Sequence, residues 1–282
     1  MALPQAVIEI GIDPYLELGP LRLAWHGLMI AVGVAVGAWL AARYAREGGL
    51  DRERLYGAVL VLVLAGIAGA KLFWVLENDA AALVRPGDWF GARGFSIYGA
   101  ILFGVPALAL YLRRGRLSLR YLDAMAAGFP VGLAVGRIGD VINGEHYGPP
   151  SELPWAFRHT HPDADVPSAL VAYHSGGFYE VVLGLTMLVV VWSLRRRFRR
   201  PAALFWTVIA LYGAGRFVMF FWRSDSDTLA LSLSTAQWTS LALVLVAAAA
   251  LTAGAIRSRS GRSFQREAGV IRPESSPAPG GS

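Results

Sequence analysis

The chain has 282 residues, of which 55% are hydrophobic and only 16% charged, and its mean hydropathy is positive. A soluble domain carries about 25% charged residues, so the composition excludes an ordinary water-soluble enzyme. The net charge of +6 sits in short clusters between apolar runs, which argues against nucleic acid as a partner, and the absence of cysteine excludes disulfides, thiolate metal sites and a cysteine nucleophile on the protein itself.

The first twenty residues carry Glu9, Asp13 and Glu17 and no Lys or Arg. They lack the basic start of a signal peptide and read as an interfacial lead-in. A membrane-crossing helix needs about 20 mostly apolar residues. Stretches of this kind predict seven spans at 24–42, 55–77, 96–112, 121–142, 177–194, 203–221 and 236–256. The third and fifth are short and lean on flanking aromatics. The expected fold is an all-α polytopic bundle over residues 1–256. Residues 257–282 are basic and Pro/Gly/Ser-rich, and they are expected to form a disordered tail.

Orientation follows from the basic residues between spans. Four arginines (Arg43, Arg46, Arg52, Arg54) follow the first span, and four (Arg113, Arg114, Arg116, Arg120) follow the third. Five lie in the run Arg195 to Arg200, and five in the tail. The other side holds only Arg22, Arg85, Arg93, Arg158 and Arg223. This bias predicts an external N-terminus and a cytoplasmic C-terminus, with the arginine-rich run as an anchor. Gly128, Gly132 and Gly136 fall on one face of the fourth span, and Ala65 and Gly69 on one face of the second, where small residues let helices approach.

Six charges fall inside or beside the spans: Lys71, Arg137, Asp140, Glu145, Glu180 and Arg216. Charges at such depth face a protein interior or a wet cavity. The predicted orientation puts all six in the outer half of the membrane. For Lys71 and Glu180, mutual neutralisation and function weigh equally. For Arg137 and Arg216 function is favoured, because two guanidinium groups at lipid-headgroup depth suit a phosphate. The sequence GRIGDVINGEHYG crowds Arg137, Asp140, Asn143, Glu145, His146 and Tyr147 at one membrane boundary. The stretch HTHPDAD (His159, His161, Asp163, Asp165) has metal-ligand residue types, but its spacing is weak evidence and it reads as a solvated loop. Neither a metal nor a cofactor is expected.

At these residues the chain resembles the bacterial prolipoprotein diacylglyceryl transferases. GRIGDVINGEHYGPPSELPWAF resembles that family's signature, close to G-R-x-G-N-F-x-N-x-E-x-x-G. LELGPLRLAWHGLM, AGAKLFWVL, HSGGFYE and LYGAGRFVMFFWR resemble further family segments, in order. The resemblance implies seven spans with the N-terminus outside. It also implies transfer of diacylglycerol from phosphatidylglycerol to the lipobox cysteine thiol of preprolipoproteins, with release of glycerol phosphate. By position, Arg137, Asn143, Glu145 and Gly148 match the signature, Arg216 matches the family's arginine of helix six, and Arg223 matches the arginine after it. The chain departs from the pattern at several places. Asp140 stands for an asparagine, His26 for a tyrosine, Tyr98 for a histidine, Phe220 for a glutamate and Lys71 for an arginine, while Ser175-Gly176-Gly177 stands for Pro-Ser-Gln.

That chemistry needs groups that bind an anionic lipid, stabilise charge on a leaving phosphate, and accept the proton of a thiol of pKa about 8.5. Arg137 and Arg216 suit the first two tasks. Lys71, Asp140, Asn143, Gly148, Glu180 and Arg223 are expected around the substrate. The acceptor is His26, with Tyr98 and Glu145 as alternatives. His26 opens the first span and Tyr98 the third, so the two are expected to face one cavity with the family's roles exchanged. The rival readings are a non-catalytic member that binds phospholipid or lipoproteins, and a transporter using the charged cavity.

Overall fold

The computed structural model describes residues 7–19, 21–78, 94–224 and 226–270. The segment carrying Arg85 and Arg93, and residues 271–282, lie outside the described residues. Among the described residues, seven helices are long and apolar enough to cross a membrane. They are α1 (Trp25–Glu47), α2 (Arg52–Asn78), α3 (Ile97–Arg114), α4 (Arg120–Asn143), α5 (Gly176–Leu194), α6 (Ala203–Met219) and α7 (Thr235–Val270). Single 3₁₀ turns at Arg195–Arg197 and Phe220–Trp222 extend α5 and α6.

The predicted spans coincide with these helices, and the larger differences lie at the ends of α1 and α7. α1 runs on past its apolar stretch because Arg43, Ala45, Arg46 and Glu47 are good helix formers. The tail expected to be disordered from residue 257 is helical as far as Val270, with the first proline beyond it at Pro273.

The interfacial lead-in has regular structure of its own. It forms β1 (Ile8–Ile10), β2 (Tyr15–Leu18) and β3 (Leu21–Ala24). Between α4 and α5 lie β4 (Tyr147–Pro150), β5 (Phe157–His159) and β6 (Tyr173–Ser175), and between α6 and α7 lie β7 (Thr228–Ala230) and β8 (Leu233–Ser234). β1 pairs in parallel with β5, giving a four-stranded sheet in the order β1-β5-β6-β4. Every strand is attached at the same end of the bundle, so a small β cap covers that end.

The helix packing has a direct cause. α1 lies along α4, and α2 along α3. On α1, a Cβ at Gly33 would lie 2.5 Å from the Gly132 carbonyl oxygen, and one at Gly37 would lie 3.1 Å from the Gly128 oxygen. The glycine face expected on the fourth span thus meets a matching pair on the first. Gly69 of α2 meets Gly99 of α3 in the same way. In a bilayer, lipid tails are as apolar as leucine, so close backbone approach of this kind drives helix association. α4 is the central helix, packing also on α5 and α6. At the end away from the cap, Asp123 is buried at 3% exposure and accepts hydrogen bonds from the amides of Ala202 (2.8 Å) and Phe205 (2.9 Å), holding the start of α6.

Replacing Gly33 with valine pushes side-chain atoms into the α4 backbone, and an overpacked site of this kind costs about 1–3 kcal/mol. Thermal unfolding of the purified protein in detergent is expected to show that loss for Gly33→Val. Gly27→Ala, where a Cβ meets nothing within 4 Å, is expected to melt like the wild type.

Candidate functional site

The site is built around a single carboxylate. Glu180, in the first turns of α5, is 0% exposed. Three arginines from separate parts of the chain converge on it. Arg137 Nε of α4 lies 2.5 Å from Oε2, while Arg216 Nη1 of α6 and Arg223 Nη1 lie 3.0 Å and 3.1 Å from Oε1. A lone buried carboxylate would be very costly, and these partners compensate it.

The second buried carboxylate, Asp140, stands one turn after Arg137 and is 1% exposed. Its Oδ2 accepts a short hydrogen bond from Arg137 Nη1, and its Oδ1 lies 2.5 Å from Nδ1 of His26 at the start of α1. His146 Nε2 lies 3.7 Å from Oδ2. The same His26 nitrogen is 3.0 Å from Glu145 Oε2. Glu145 in turn accepts a hydrogen bond of 2.9 Å from the Asn143 side-chain amide. Burial pushes the Glu145 carboxyl up, but the hydrogen bonds from His26 and Asn143 outweigh it and hold the group below the usual glutamate range.

Local sequence explains the placement. α4 ends at Gly144 with φ of +81°, and the chain turns there so that Asn143, Glu145 and His146 fall back over Asp140. α5 begins with a Ser175 cap, whose hydroxyl accepts from the Phe178 amide at 3.2 Å. Gly177 then lies against α4, where a Cβ would be 2.9 Å from the Asp140 Cβ. A side chain at Gly177 would thus press the start of α5 away from Asp140. Gly148 plays a similar part on β4, since a Cβ there would lie 2.0 Å from the Trp222 carbonyl oxygen.

Phe220, which stands for a family glutamate, is 7% exposed, and its ring lies 4.9 Å from the Arg216 guanidinium and 4.4 Å from that of Arg223. An aromatic face thus supports both cations where the family pattern has a carboxylate. Tyr212, one turn before Arg216, accepts a 3.0 Å hydrogen bond from Arg216 Nη1. Sequence reading missed Tyr212, although its i, i+4 spacing to Arg216 is a usable signal. It also missed the platform role of Phe220.

Donors remain for a ligand. Arg137 is engaged through Nε and Nη1, and Arg216 through Nη1. Among the described residues, Nη2 of both, and Nε of Arg216, have no partner, and the two side chains keep 22% and 21% exposure. Arg223, at 4% exposure, is sealed against Glu180. Glu180 and Asp140 face the three guanidinium groups and Glu145 adds a third carboxylate beside His26, so it is the open donors rather than a surplus charge that suit an anion with two or more acceptor oxygens. His26 has both carboxylates on Nδ1. That nitrogen carries the proton and donates, while Nε2 has no partner among the described residues.

Other expected residues lie elsewhere. Tyr98 does not face His26. It is 58% exposed on α3, which packs along α2. Its neighbour Gly99 is the residue turned to α2, and one residue along a helix is about 100° of rotation. The expected exchange between His26 and Tyr98 is thus not built into this bundle. Lys71 is buried on α2, with its ammonium 5.0 Å from the Trp74 ring and 5.5 Å from Phe95.

The HTHPDAD stretch is not a uniform solvated loop. His159 is 4% exposed and its Nε2 donates to the Val141 carbonyl at 2.7 Å, and burial pushes its imidazole below the usual histidine range. Two groups have ligand atoms close enough for a metal, His26 with Asp140 and Glu145, and Asp13 with His161 and Asp163. In each, a guanidinium already holds a carboxylate: Arg137 on Asp140, and Arg22 on Asp163 at 2.6 Å. A further cation is disfavoured there.

Comparison with known proteins bears on this geometry. The sequence model of the prolipoprotein diacylglyceryl transferase family matches residues 14–253. A phosphatidylglycerol–prolipoprotein diacylglyceryl transferase of Thermosynechococcus vestitus is 34% identical over 223 residues, covering 75% of this chain and 81% of that protein. One from Dehalococcoides mccartyi is 31% identical, covering 86% and 93%. One from Methylibium petroleiphilum is 33% identical, covering 82% and 92%. The matched region takes in six of the seven helices whole, the start of α7, and every residue of the ion-pair cluster. This multi-pass membrane chain belongs to the prolipoprotein diacylglyceryl transferase family.

Proposed function

We propose that this chain transfers the diacylglyceryl group of phosphatidylglycerol to the lipobox cysteine thiol of preprolipoproteins. It does so in the plasma membrane of a bacterium, with the capped end of the bundle facing outward. The observation that carries this reading is the set of three arginines on one buried carboxylate, two of them with donors to spare. The family relationship supplies the substrates.

The lipid phosphate takes the open guanidinium edges of Arg137 and Arg216. The substrate thiol gives its proton to Nε2 of His26, and the resulting imidazolium is stabilised by Asp140 and Glu145 through Nδ1. The thiolate attacks the glycerol carbon, a C–S bond forms as the C–O bond breaks, and glycerol phosphate leaves. Negative charge on the phosphate grows from one to two in this step. Preorganised donors aimed at developing charge are often the largest catalytic contribution. Asn143 and Gly148 set the turn over the site, and Tyr212 and Phe220 fix the Arg216 guanidinium. The chemistry calls for no metal or cofactor. The tail beyond residue 256 lies on the cytoplasmic side, together with the arginine-rich loops.

Complementation of a transferase-depleted bacterium, read by lipoprotein mobility shift, tests the activity. The wild-type chain is expected to restore the shift, and Arg137→Ala and Arg216→Ala to lose at least a hundredfold in rate while still inserting. Arg216→Lys is expected to rescue poorly, since a point charge lacks the planar fork. His26→Phe is expected to leave a residual rate that climbs with pH through about 8.5, following spontaneous ionisation of the thiol. A chain that binds lipid but never restores the shift is a non-catalytic member. Sidedness has its own test. Reporter fusions after Arg120 and Arg200 are expected to read cytoplasmic and a fusion at Asp163 external, and the reverse pattern removes the outward site.

A further inference from the structure

A second cluster of cations lies at the other end of the molecule. An open cleft between the end of α1 and the start of α2 is lined by Trp39, Ala42, Arg43, Arg46, Arg52 and Tyr56. It is far from the ion-pair cluster. Arg43 stands 17 residues along α1 from His26, which at 1.5 Å per residue is about 26 Å, close to the about 30 Å of a bilayer's hydrocarbon core. The cleft therefore lies in the opposite headgroup region, whichever face of the membrane that is.

The charges of the cleft are unbalanced. Arg43 lies 3.7 Å from Glu47, and Glu47 is shared with Arg195 at 3.2 Å. Asp51 is engaged by Arg54 at 3.7 Å. Arg46 and Arg52 are exposed and have no acidic partner among the described residues. The walls match a lipid rather than a soluble anion. Trp39 is 60% exposed and Tyr56 45% exposed, and both rings stand where interfacial aromatics sit. One turn deeper than Tyr56 on α2, Leu60 is 57% exposed and faces outward. Basic clefts between helix ends at headgroup depth are suited to phospholipid phosphates.

We propose that this cleft is a binding site for an anionic phospholipid of the opposite leaflet. Arg46 and Arg52 hold the phosphate, Arg43 stands beside it, and the acyl chains run along Trp39 and Leu60. The site is separate from the one described above, and it stands or falls independently of the transfer reaction.

Trp39 provides the readout. The full-length protein is reconstituted in phosphatidylcholine vesicles, and bromine-labelled phosphatidylglycerol or bromine-labelled phosphatidylcholine is added in steps. The quenched signal assigned to Trp39 is the difference between the wild type and Trp39→Phe. Trp39 is about 20 Å along α1 from His26, so lipid bound at the ion-pair cluster does not report on it. The wild type is expected to be quenched at a lower mole fraction of the anionic lipid than of the zwitterionic one. Arg46→Gln with Arg52→Gln is expected to remove that preference, at about fivefold per arginine, the worth of one basic side chain near an anionic surface.

The control is Arg200→Gln with Arg257→Gln, an equal charge change beside α7, which packs on α6 rather than on α1 or α2, and it is expected to keep the preference. Equal quenching by both lipids in the wild type overturns the proposal. So does an equal loss in both double variants, which would mean general surface charge, and so does displacement of the brominated lipid by millimolar glycerol phosphate, which would mean a soluble anion site.

Discussion

The buried carboxylate of Glu180 is the constraint on which the rest of the molecule depends. A charge with no solvent exposure is tolerable only if cations reach it, and here they come from α4, from α6 and from the segment after α6. α4, α5 and α6 must therefore keep one relative rotation and one relative depth. The same requirement fixes the guanidinium groups of Arg137 and Arg216, which keep 22% and 21% exposure. Packing serves this arrangement. The glycine contacts bring α1 against α4, so that His26 at the start of α1 reaches Asp140, and Gly177 brings the start of α5 to the same place.

The departures from the family pattern become intelligible in these terms. Asp140 in place of an amide adds a negative charge, and that charge is met by Arg137 and His26. His26 in place of a tyrosine supplies a ring nitrogen that two carboxylates can orient. The two changes touch each other, and each makes the other less costly. Phe220 places a ring beneath both Arg216 and Arg223 where the family pattern has a carboxylate, so no further anion competes for their guanidinium groups there.

Much of this was legible in the sequence. The spans could be read because length and hydropathy leave few alternatives in a bilayer, and the glycine face of the fourth span could be read from its fourfold spacing. Arg137, Asp140, Glu145, Glu180 and Arg216 stood out as charges in or beside apolar spans and His26 through the family resemblance, and these six do converge, while Lys71, which stood out with them, lies apart on α2. Their partners were not legible. That one carboxylate gathers three arginines depends on how three helices are rotated, and no local pattern encodes it. The β cap was missed because its strands have only two to four residues and pair across long separations, Ile8 with Phe157 for instance. The expected meeting of His26 and Tyr98 failed for the same reason. Both sit at the capped end, but Gly99 turns α3 toward α2.

The central claim is that Arg137 and Arg216, held by Glu180, present one phosphate-binding edge. A structure of the protein with phosphatidylglycerol bound tests it most directly. The lipid phosphate is expected between the two guanidinium groups, with charge-assisted contacts of about 2.7–2.9 Å, and with His26 Nε2 facing the thiol beside the glycerol carbon that is attacked. A phosphate bound elsewhere, with both arginines still turned wholly onto Glu180 and Asp140, would show that the cluster is a helix lock and that the site lies in another part of the bundle.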